Sequence, residues 1–301
     1  MMAPSLPFLG EIAALATACC WVISSLSFQT AGRKVGSLPV NLIRIVLGFL
    51  FLSVYLTVVR GTPVPLDATP HAWGWLTLSG VAGFLFGDLF LFKSFVVVGA
   101  RTAMLVMSSV PVLTTVIAYL FMGETIGPIG MIGMAVTIAG IALVVAKRDP
   151  AESAARPQWG RGVLYAFGGA FGQAVGLVLS KYGMGAMDPF AATQIRVITG
   201  VLGFVALVTY LGAWGRVAAA LRDRRSLAFI ATGAFFGPFL GVSLSLLSVQ
   251  YTATGIASTI MSTTPVLIIA PAIVLFKEKV SWREVMGAAV AVGGVALLFW
   301  R

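Results

Sequence analysis

Residues 103–143 read AMLVMSSVPVLTTVIAYLFMGETIGPIGMIGMAVTIAGIAL, and residues 257–297 read ASTIMSTTPVLIIAPAIVLFKEKVSWREVMGAAVAVGGVAL. The two stretches align without a gap at an offset of 154 residues, and 14 of the 41 aligned positions are identical. This identity is higher than a shared apolar composition would produce. The sequence therefore predicts two copies of one structural unit, which we place at residues 1–147 and 148–301.

The repeat extends upstream of these two stretches. A Gly-x-x-x-Gly motif at residues 83–87 recurs at residues 237–241 with the same offset. A slightly shorter offset of 152 residues pairs Arg44 with Arg196, and each arginine follows an isoleucine. Small residues at this spacing let helices approach closely, so the glycine motifs predict packing contacts.

The composition predicts that most of the protein surface faces lipid. Of the 301 residues, 59% are hydrophobic and 10% are charged, and the mean hydropathy is +1.00. Soluble proteins carry about 25% charged residues, which form their water-facing surface. The net charge of +10 does not indicate nucleic-acid binding, because the cations lie singly or in short clusters between apolar runs. The expected partner of this surface is a lipid bilayer.

Ten segments of the chain are apolar enough to cross a bilayer, which takes about 20 residues per helix. They span residues 10–30, 38–59, 72–95, 102–121, 128–146, 161–182, 190–211, 227–249, 255–275 and 284–300. Open strands are excluded because lipid cannot satisfy the hydrogen bonds of a sheet edge. The predicted fold is an all-α membrane protein with ten transmembrane helices.

The basic residues of the loops separate between the two sides of this ten-span topology. One side receives 14 lysines and arginines, and the other side receives three. Cytoplasmic loops are enriched in such residues, so the loops after spans 1, 3, 5, 7 and 9 are predicted to be cytoplasmic. Both termini then lie outside the cell (inner) membrane. Five spans per copy is an odd number, so the second copy is predicted to be inverted relative to the first.

Inverted repeats are a common architecture of secondary transporters, with the substrate site near the membrane midplane between the two halves. Duplication also produces larger helical bundles without transport, but an inverted pair provides two related gates. We therefore expect alternating access by rocking of the two halves. The alternative is a membrane-embedded enzyme or scaffold without transport activity.

Sequence motifs of both copies point to a known family. They are Gly99-Ala-Arg-Thr-Ala-Met, Ser108-Ser-Val-Pro111-Val and Gly123-Glu124, with the echo Met261-Ser-Thr-Thr-Pro265-Val and Glu278. The chain thereby resembles EamA-type transporters of the drug/metabolite transporter superfamily. The resemblance implies ten helices around a central cavity lined by helices 1–4 and 6–9. It also implies transport of small organic metabolites such as amino acids, or of drugs, and it favours export.

Three ionisable residues lie inside predicted spans, where a charge is costly and is by default a functional hypothesis. Arg44 in span 2 and Arg196 in span 7 lie at matching depths from opposite sides, and each can hold a substrate carboxylate or phosphate. The alternative is an arginine that extends to the interface or forms a structural pair. Asp88 in span 3 can form a static salt bridge with Arg44, or serve as a site for a coupling proton. The second copy has Val242 at the place of Asp88.

Two aromatic residues and one amide are further candidates for substrate binding. Trp21 and Phe171 occupy comparable positions in spans 1 and 6, where they can line an apolar cavity or serve in packing. Gln173 is a rare amide within span 6, and it is expected to face protein rather than lipid.

Pro111 and Pro265 fall inside spans 4 and 9, where proline removes one backbone hydrogen bond and clashes with the carbonyl group four residues earlier. The sequence therefore predicts a kink in each span. Ser108 and Ser262 lie beside the freed carbonyl groups and are candidates for a polar patch in the cavity. The alternative is that the kinks only let the helices pivot.

The sequence suggests local contacts for three further glutamates. Glu124 and Glu278 follow the fourth span of each copy, and both are expected to cap the next helix or to pair with a basic loop residue. Substrate contact is the alternative. Glu11 at the outer mouth of span 1 can pair with Arg196 or remain an interfacial carboxylate.

Enzymatic chemistry has little support in the sequence. The lone histidine, His71, lies in an interfacial setting, and the chain has no pattern typical of a metal site, a phosphate-binding loop or a nucleophile. We therefore expect no catalytic residue, no metal and no cofactor. The expected partners are a small-molecule substrate, a coupling proton and a second copy of the chain, with Gly140 and Gly294 as candidate packing or dimer contacts.

Overall fold

The computed structural model describes residues 7–145, 158–268, 271 and 282–298. All regular elements within these ranges are helical, and none of the described residues forms a strand. This confirms the all-α prediction. It is the expected outcome for a chain in lipid, because a helix satisfies its backbone hydrogen bonds within its own segment.

Thirteen helices follow one another along the described part of the chain. They are α1 (Leu9–Val35), α2 (Ser37–Arg60), α3 (Pro70–Val97), α4 (Ala100–Met107), α5 (Val110–Met122), α6 (Pro128–Val145), α7 (Trp159–Met184), α8 (Pro189–Tyr210), α9 (Trp214–Arg222), α10 (Arg224–Tyr251), α11 (Thr254–Met261), α12 (Thr264–Leu267) and α13 (Trp282–Leu298). Six of them, namely α1, α2, α3, α7, α8 and α10, are long and apolar enough to cross a membrane.

Local sequence signals set the ends of these helices. The side chain of Thr69 accepts a hydrogen bond from the backbone N–H of Ala72, and a proline follows Thr69 as the first residue of α3. Asp188 caps α8 in the same way, again with a proline in the first turn. Such caps satisfy backbone donors that the first turn leaves free. Gly61 and Gly123 end α2 and α5 in the left-handed conformation that glycine adopts without strain.

The predicted fourth span, 102–121, is two helices rather than one kinked helix. The chain breaks at Ser108 and Ser109, and Pro111 is the second residue of the new helix α5. Proline lacks an N–H group, so it is tolerated in the first turn of a helix but not in its interior. The second copy repeats this break between α11 and α12, where Pro265 is the second residue of α12.

The two halves interlock instead of forming separate bodies. Helix α3 packs mainly against α7, and α10 packs mainly against α1. Likewise α2 contacts α8, and α6 runs along α13. Each of these contacts joins one half of the chain to the other, so the core of the protein lies between the two repeats.

Each half has one π-helical segment inside its third long helix, and neither was predicted from the sequence. The segments are Val81–Gly87 in α3 and Phe235–Gly241 in α10. They coincide with the repeated glycine motif, which was predicted to mediate packing. A Cβ atom added at Gly172 of α7 would lie 2.6 Å from the carbonyl oxygen of Ala82 and 2.6 Å from the Cα atom of Gly87. The backbones of α3 and α7 therefore touch at this point, which confirms the packing role.

Gly140 and Gly294 form contacts within the chain. A Cβ atom added at Gly140 would lie 2.3 Å from the backbone nitrogen of Ala291, and one at Gly294 would lie 2.4 Å from Oγ1 of Thr137. These glycines therefore bring α6 and α13 together. A homodimer stays a prediction, and it does not follow from these two residues.

The outer surface of the bundle is apolar. Large exposed side chains include Val58 at 80%, Leu120 at 76%, Leu164 at 69% and Tyr210 at 88% exposure. Apolar surface of this extent suits lipid rather than water. The chain is thus a multi-pass membrane protein.

A short helix, α9, lies between the predicted spans 190–211 and 227–249. It buries Val217 and Ala220 and exposes Arg216 and Arg222, so it is amphipathic. Immediately after it, Asp223 forms an ion pair of 2.6 Å with Lys34 at the end of α1. This contact places the end of α1 and the start of α10 on the same face of the protein.

Candidate functional site

A cavity of about 1000 Å³, including its open mouth, lies between the two halves. Its walls come from long helices of both repeats and from the broken helices α4, α5, α11 and α12. Six of the eight predicted substrate-binding residues line it, namely Trp21, Arg44, Asp88, Gln173, Arg196 and Ser262. The remaining wall is mostly apolar.

Arg44 and Asp88 form the buried ion pair that was one of the two predicted roles for Asp88. A terminal guanidinium nitrogen of Arg44 donates to Oδ2 of Asp88. The side chain of Arg44 is 4% exposed and that of Asp88 is 6% exposed. A buried pair of this kind holds its geometry only if further hydrogen bonds satisfy its remaining atoms.

Two amide side chains supply these further hydrogen bonds. Nε of Arg44 donates to Oδ1 of Asn41 over 3.1 Å, and Nε2 of Gln173 donates to Oδ1 of Asp88 over 2.9 Å. Gln173 therefore faces protein, as predicted, and it joins α7 to α3. Both oxygens of Asp88 are occupied. Nothing in the sequence pointed to Asn41 except its position one helical turn before Arg44.

Aromatic rings complete the setting of Arg44. Its guanidinium carbon lies 4.4 Å from the ring centroid of Phe92 and 5.4 Å from that of Phe28. The faces of aromatic rings attract cations, and this attraction is strongest where water is excluded. Arg44 is thus held on three sides and is not free to reach the membrane interface.

Arg196 has a different environment from its counterpart Arg44. It is 3% exposed, and its guanidinium carbon lies 5.0 Å from the ring centroid of Phe84. Within the described ranges, Nε of Arg196 has no hydrogen-bond partner. The predicted alternative of a pair with Glu11 does not form. Glu11 instead accepts a hydrogen bond of 3.1 Å from Thr252.

Four of the predicted residues lie away from the positions expected of them. Phe171 is 52% exposed on the outside of α7 and is not among the cavity-lining residues. The hydroxyl group of Ser108 is buried and donates to the carbonyl oxygen of Met104 over 3.2 Å, one turn earlier than expected. Pro111 and Pro265 start helices beside the cavity instead of kinking them. The wall at the first break is formed by Met107 and Val110.

Glu124 joins the two halves at the end of the bundle where α5 and α7 finish. Its Oε1 forms an ion pair of 2.5 Å with Lys181 of α7, and its Oε2 accepts a hydrogen bond of 2.9 Å from the backbone N–H of Thr254. Lys181 also donates to the carbonyl oxygen of Thr252 over 2.9 Å. Glu124 thus pairs with a base and caps a helix, but the base lies within α7 instead of a loop, and the capped helix is α11 of the other half instead of the next helix. Glu278, for which the same role was predicted, lies outside the described residues. Nothing in the sequence pointed to Lys181.

The Glu124 contacts predict a pH-dependent stability. Burial raises the pKa of Glu124, but the hydrogen bonds from Lys181 and Thr254 and the charge of Lys181 outweigh it, so the pKa lies below its ordinary value of 4.5. A carboxylate with a lowered pKa stabilises the folded protein at pH values above its ordinary pKa. This stabilisation is lost as the pH falls through the folded-state pKa. We expect Glu124→Gln to cost roughly 1–3 kcal/mol at neutral pH, since hydrogen bonds to charged groups have about this value.

Thermal unfolding of the purified protein in detergent, measured from neutral to acid pH, checks this expectation. The gap in unfolding temperature between wild type and Glu124→Gln is expected to close as the pH falls below the ordinary glutamate range. A gap that stays constant down to about pH 3 contradicts the assignment to the ionised carboxylate.

The site offers binding groups and no evident catalytic or metal-binding set. Within the described ranges, no three His, Cys, Asp or Glu side chains are grouped as a metal ion would require. Within the described cavity wall, the charged groups are one neutralised ion pair and one unpaired cation, and most of the other side chains are apolar. Such a surface suits a small organic molecule with one anionic group.

Comparison with known proteins assigns the chain to a family. It matches the EamA-like transporter family over residues 8–146 and again over residues 160–300, as the motifs predicted, whereas comparison with curated proteins gives no match. One solved crystal structure resembles the chain with a TM-score of 0.73 at 19% identity, covering 96% of this chain and 94% of that chain, which shows a shared fold. The chain therefore belongs to the EamA-like transporter family, whose members are membrane transporters and not enzymes.

Proposed function

We propose that the protein is a secondary transporter that carries small organic metabolites through the cavity between its two halves. The observation that carries this proposal is the cavity itself, which combines buried charge with apolar walls at the contact of the two repeats. Buried ionisable groups inside a membrane protein typically mark a substrate or ion pathway. The proposed substrate-binding residues are Trp21, Arg44, Asp88, Gln173, Arg196 and Ser262, with the breaks at Pro111 and Pro265 as pivots.

The finer architecture of the proposal is ten spans in two inverted copies that move by alternating access. The pairing of each long helix with a counterpart from the other half supports it, as do the equivalent breaks in the fourth and ninth predicted spans. In such a fold, rocking one half against the other opens the cavity to either side. The Glu124–Lys181 contact joins the two halves at one end of the bundle.

The proposed location is the cell (inner) membrane with the basic loops in the cytoplasm. The support is the distribution of the basic loop residues, of which 14 fall on one side of the predicted ten-span topology and three on the other. The ion pair between Lys34 and Asp223 agrees with it, because both residues belong to the side predicted to be cytoplasmic. Reporter fusions after Gly185 and after Gly212 test the sidedness: activity of a cytoplasmic reporter is expected only at Gly212, and the reverse pattern overturns the orientation.

Amino acids as substrates, export as direction and a coupling proton are further parts of the proposal that come from the family resemblance. For the coupling proton, Asp88 is the acidic residue within the described cavity wall. Its two oxygens are both engaged, which favours a fixed ion pair over proton exchange.

Counterflow in proteoliposomes tests the transport proposal. Purified protein is reconstituted, the vesicles are loaded with one unlabelled metabolite at a time, and uptake of the labelled compound is followed with and without a pH gradient. Saturable uptake that depends on the internal solute is expected for at least one metabolite of a broad panel. Folded, reconstituted protein that gives no saturable flux across the panel would favour the alternative of a scaffold or membrane-embedded enzyme.

A further inference from the structure

Arg196 is a buried cation whose guanidinium lacks an acidic hydrogen-bond partner within the described ranges. It is 3% exposed, and its Nε makes no hydrogen bond there. Its guanidinium carbon lies 5.0 Å from the ring centroid of Phe84, which is a cation–π contact. An aromatic ring stabilises a cation far less than the loss of water costs it. The cavity is therefore short of one negative charge.

The internal repeat explains where this charge is missing. Arg44 of the first half bonds to Asp88. At the offset that aligns the third helices, the counterpart of Asp88 in the second half is Val242. Both Val242 and Arg196 line the cavity. The carboxylate that the first half supplies from its own chain is thus replaced by an apolar side chain where a bound solute has access.

The sum of the charges defines the ligand that fits. The charged groups within the described cavity wall are Arg44, Asp88 and Arg196, so the wall carries a net charge of +1. Asp88 also lies close enough to Arg196 to attract it, but one carboxylate cannot neutralise two guanidinium groups. A singly charged anion brings the sum to zero. A ligand ammonium group, in contrast, finds both oxygens of Asp88 already occupied.

The rest of the wall specifies the body of this ligand. Apolar side chains predominate, with Trp21, Phe92, Met104, Met107 and Met261 among them. Methionine side chains adapt to apolar ligands of different shapes. The hydroxyl groups of Ser258 and Ser262 already donate to backbone carbonyl groups, and so they offer mainly acceptor capacity. The wall therefore suits an apolar body better than a polar one.

We propose that the cavity selects a monoanionic organic acid with an apolar body, whose carboxylate binds Arg196, over the zwitterion of the same shape. The proposal rests on the transport function and narrows its substrate class to organic acids without an ammonium group, in place of the zwitterionic amino acids that the family resemblance suggests. The pairing is bidentate in character, because a guanidinium group presents parallel donors to a carboxylate.

A series of probes that share one phenyl body and differ in charge tests this selection. The probes are 3-phenylpropionate, phenylalanine, phenethylamine and phenylsuccinate, and the readout is the thermal shift of the purified full chain in detergent. The largest shift is expected from 3-phenylpropionate. An equal or larger shift with phenylalanine or phenethylamine overturns the proposal, and so does a series in which none of the four compounds binds.

Substitutions at two positions test where the carboxylate of the ligand binds. Arg196→Gln is expected to weaken 3-phenylpropionate binding roughly 10- to 100-fold, the range of a charge-assisted hydrogen bond, with partial rescue in Arg196→Lys. Val242→Asp supplies the missing carboxylate from the chain and is expected to weaken binding likewise, and more than Val242→Asn does. If Arg196→Gln and Val242→Asp both bind 3-phenylpropionate with wild-type affinity, the assignment to Arg196 is wrong.

Counterflow separates this proposal from the proposed function. Saturable flux of phenylalanine without binding of 3-phenylpropionate leaves transport intact and rejects the charge selection. Binding of 3-phenylpropionate that depends on Arg196, without flux of any compound, supports the anion site and rejects transport.

Discussion

Asp88→Ala is expected to lower the free energy of unfolding by about 3–5 kcal/mol, the typical cost of removing one partner of a buried ion pair. The substitution leaves Arg44, which is 4% exposed, without its carboxylate. It also removes the negative charge that attracts Arg196, so two buried cations then share the cavity wall without an anion. Thermal and denaturant unfolding of the purified protein in detergent measure the effect.

The chain supplies a matched control for this prediction. Arg60 and Asp67 form an ion pair of 2.7 Å in which the side chain of Asp67 is 67% exposed. Exposed pairs contribute about 0–1 kcal/mol, so Asp67→Ala is expected to be nearly neutral. The double variant Arg44→Met/Asp88→Leu is expected to recover most of the lost stability, because it removes both charges together. Equal, small effects of Asp88→Ala and Asp67→Ala would show that the buried pair is not what stabilises this region.

Gly172→Ala is expected to cost about 1–3 kcal/mol and to disable the cavity. The added Cβ atom would lie 2.6 Å from two backbone atoms of α3, and backbone atoms cannot rotate out of the way. Helices α3 and α7 must then move apart. Since Gln173 is the next residue, its hydrogen bond to Asp88 would lengthen, and ligand binding would weaken together with stability.

Gly74→Ala is the matched control, because Gly74 lies inside α3 with nothing within 4 Å of an added Cβ atom. Alanine has a higher helix propensity than glycine by roughly 0.5–1 kcal/mol, so this variant is expected to be neutral or slightly more stable. Unfolding temperature and the 3-phenylpropionate thermal shift are measured for both variants. The close helix contact is refuted if Gly172→Ala behaves like Gly74→Ala.

The sequence predicted the long helices and one central contact well. Their observed ends lie within a few residues of the predicted ends, because hydropathy and the flanking prolines and glycines are local signals. Arg44 and Asp88 were predicted to pair because both lie at comparable depth in neighbouring spans, and membrane burial leaves few other partners for a charge.

The error at Phe171 has a geometric cause. Successive residues of an α-helix are about 100° apart, so residues 171 and 173 point in nearly opposite directions. Gln173 faces Asp88, and Phe171 must therefore face lipid. The two predictions were incompatible on one helix face. Amphipathicity did not reveal this, because in a membrane both faces of a helix are largely apolar.

Other parts of the site depend on contacts that a single sequence does not encode locally. Lys181 and Glu124 lie on different halves and meet only because α5 and α7 end at the same face. Likewise, the unpaired state of Arg196 follows from what surrounds it in three dimensions. The internal repeat gave one indication that Arg196 lacks an acidic partner, since Val242 replaces the acidic residue of the first half.

The π-helical segment Val81–Gly87 sets the direction in which Asp88 points. A π turn accommodates one residue more than an α turn does. The seven residues of this segment therefore turn the chain about as far as six α-helical residues would, and winding all seven as regular α-helix would rotate Asp88–Val97 by about 100° relative to Pro70–Gly80. Asp88 would then leave Arg44 although neither residue had changed. When relatives of this protein are aligned, a gap of one residue within these seven positions is thus compatible with a retained ion pair, because the shorter segment reaches the same direction as regular α-helix.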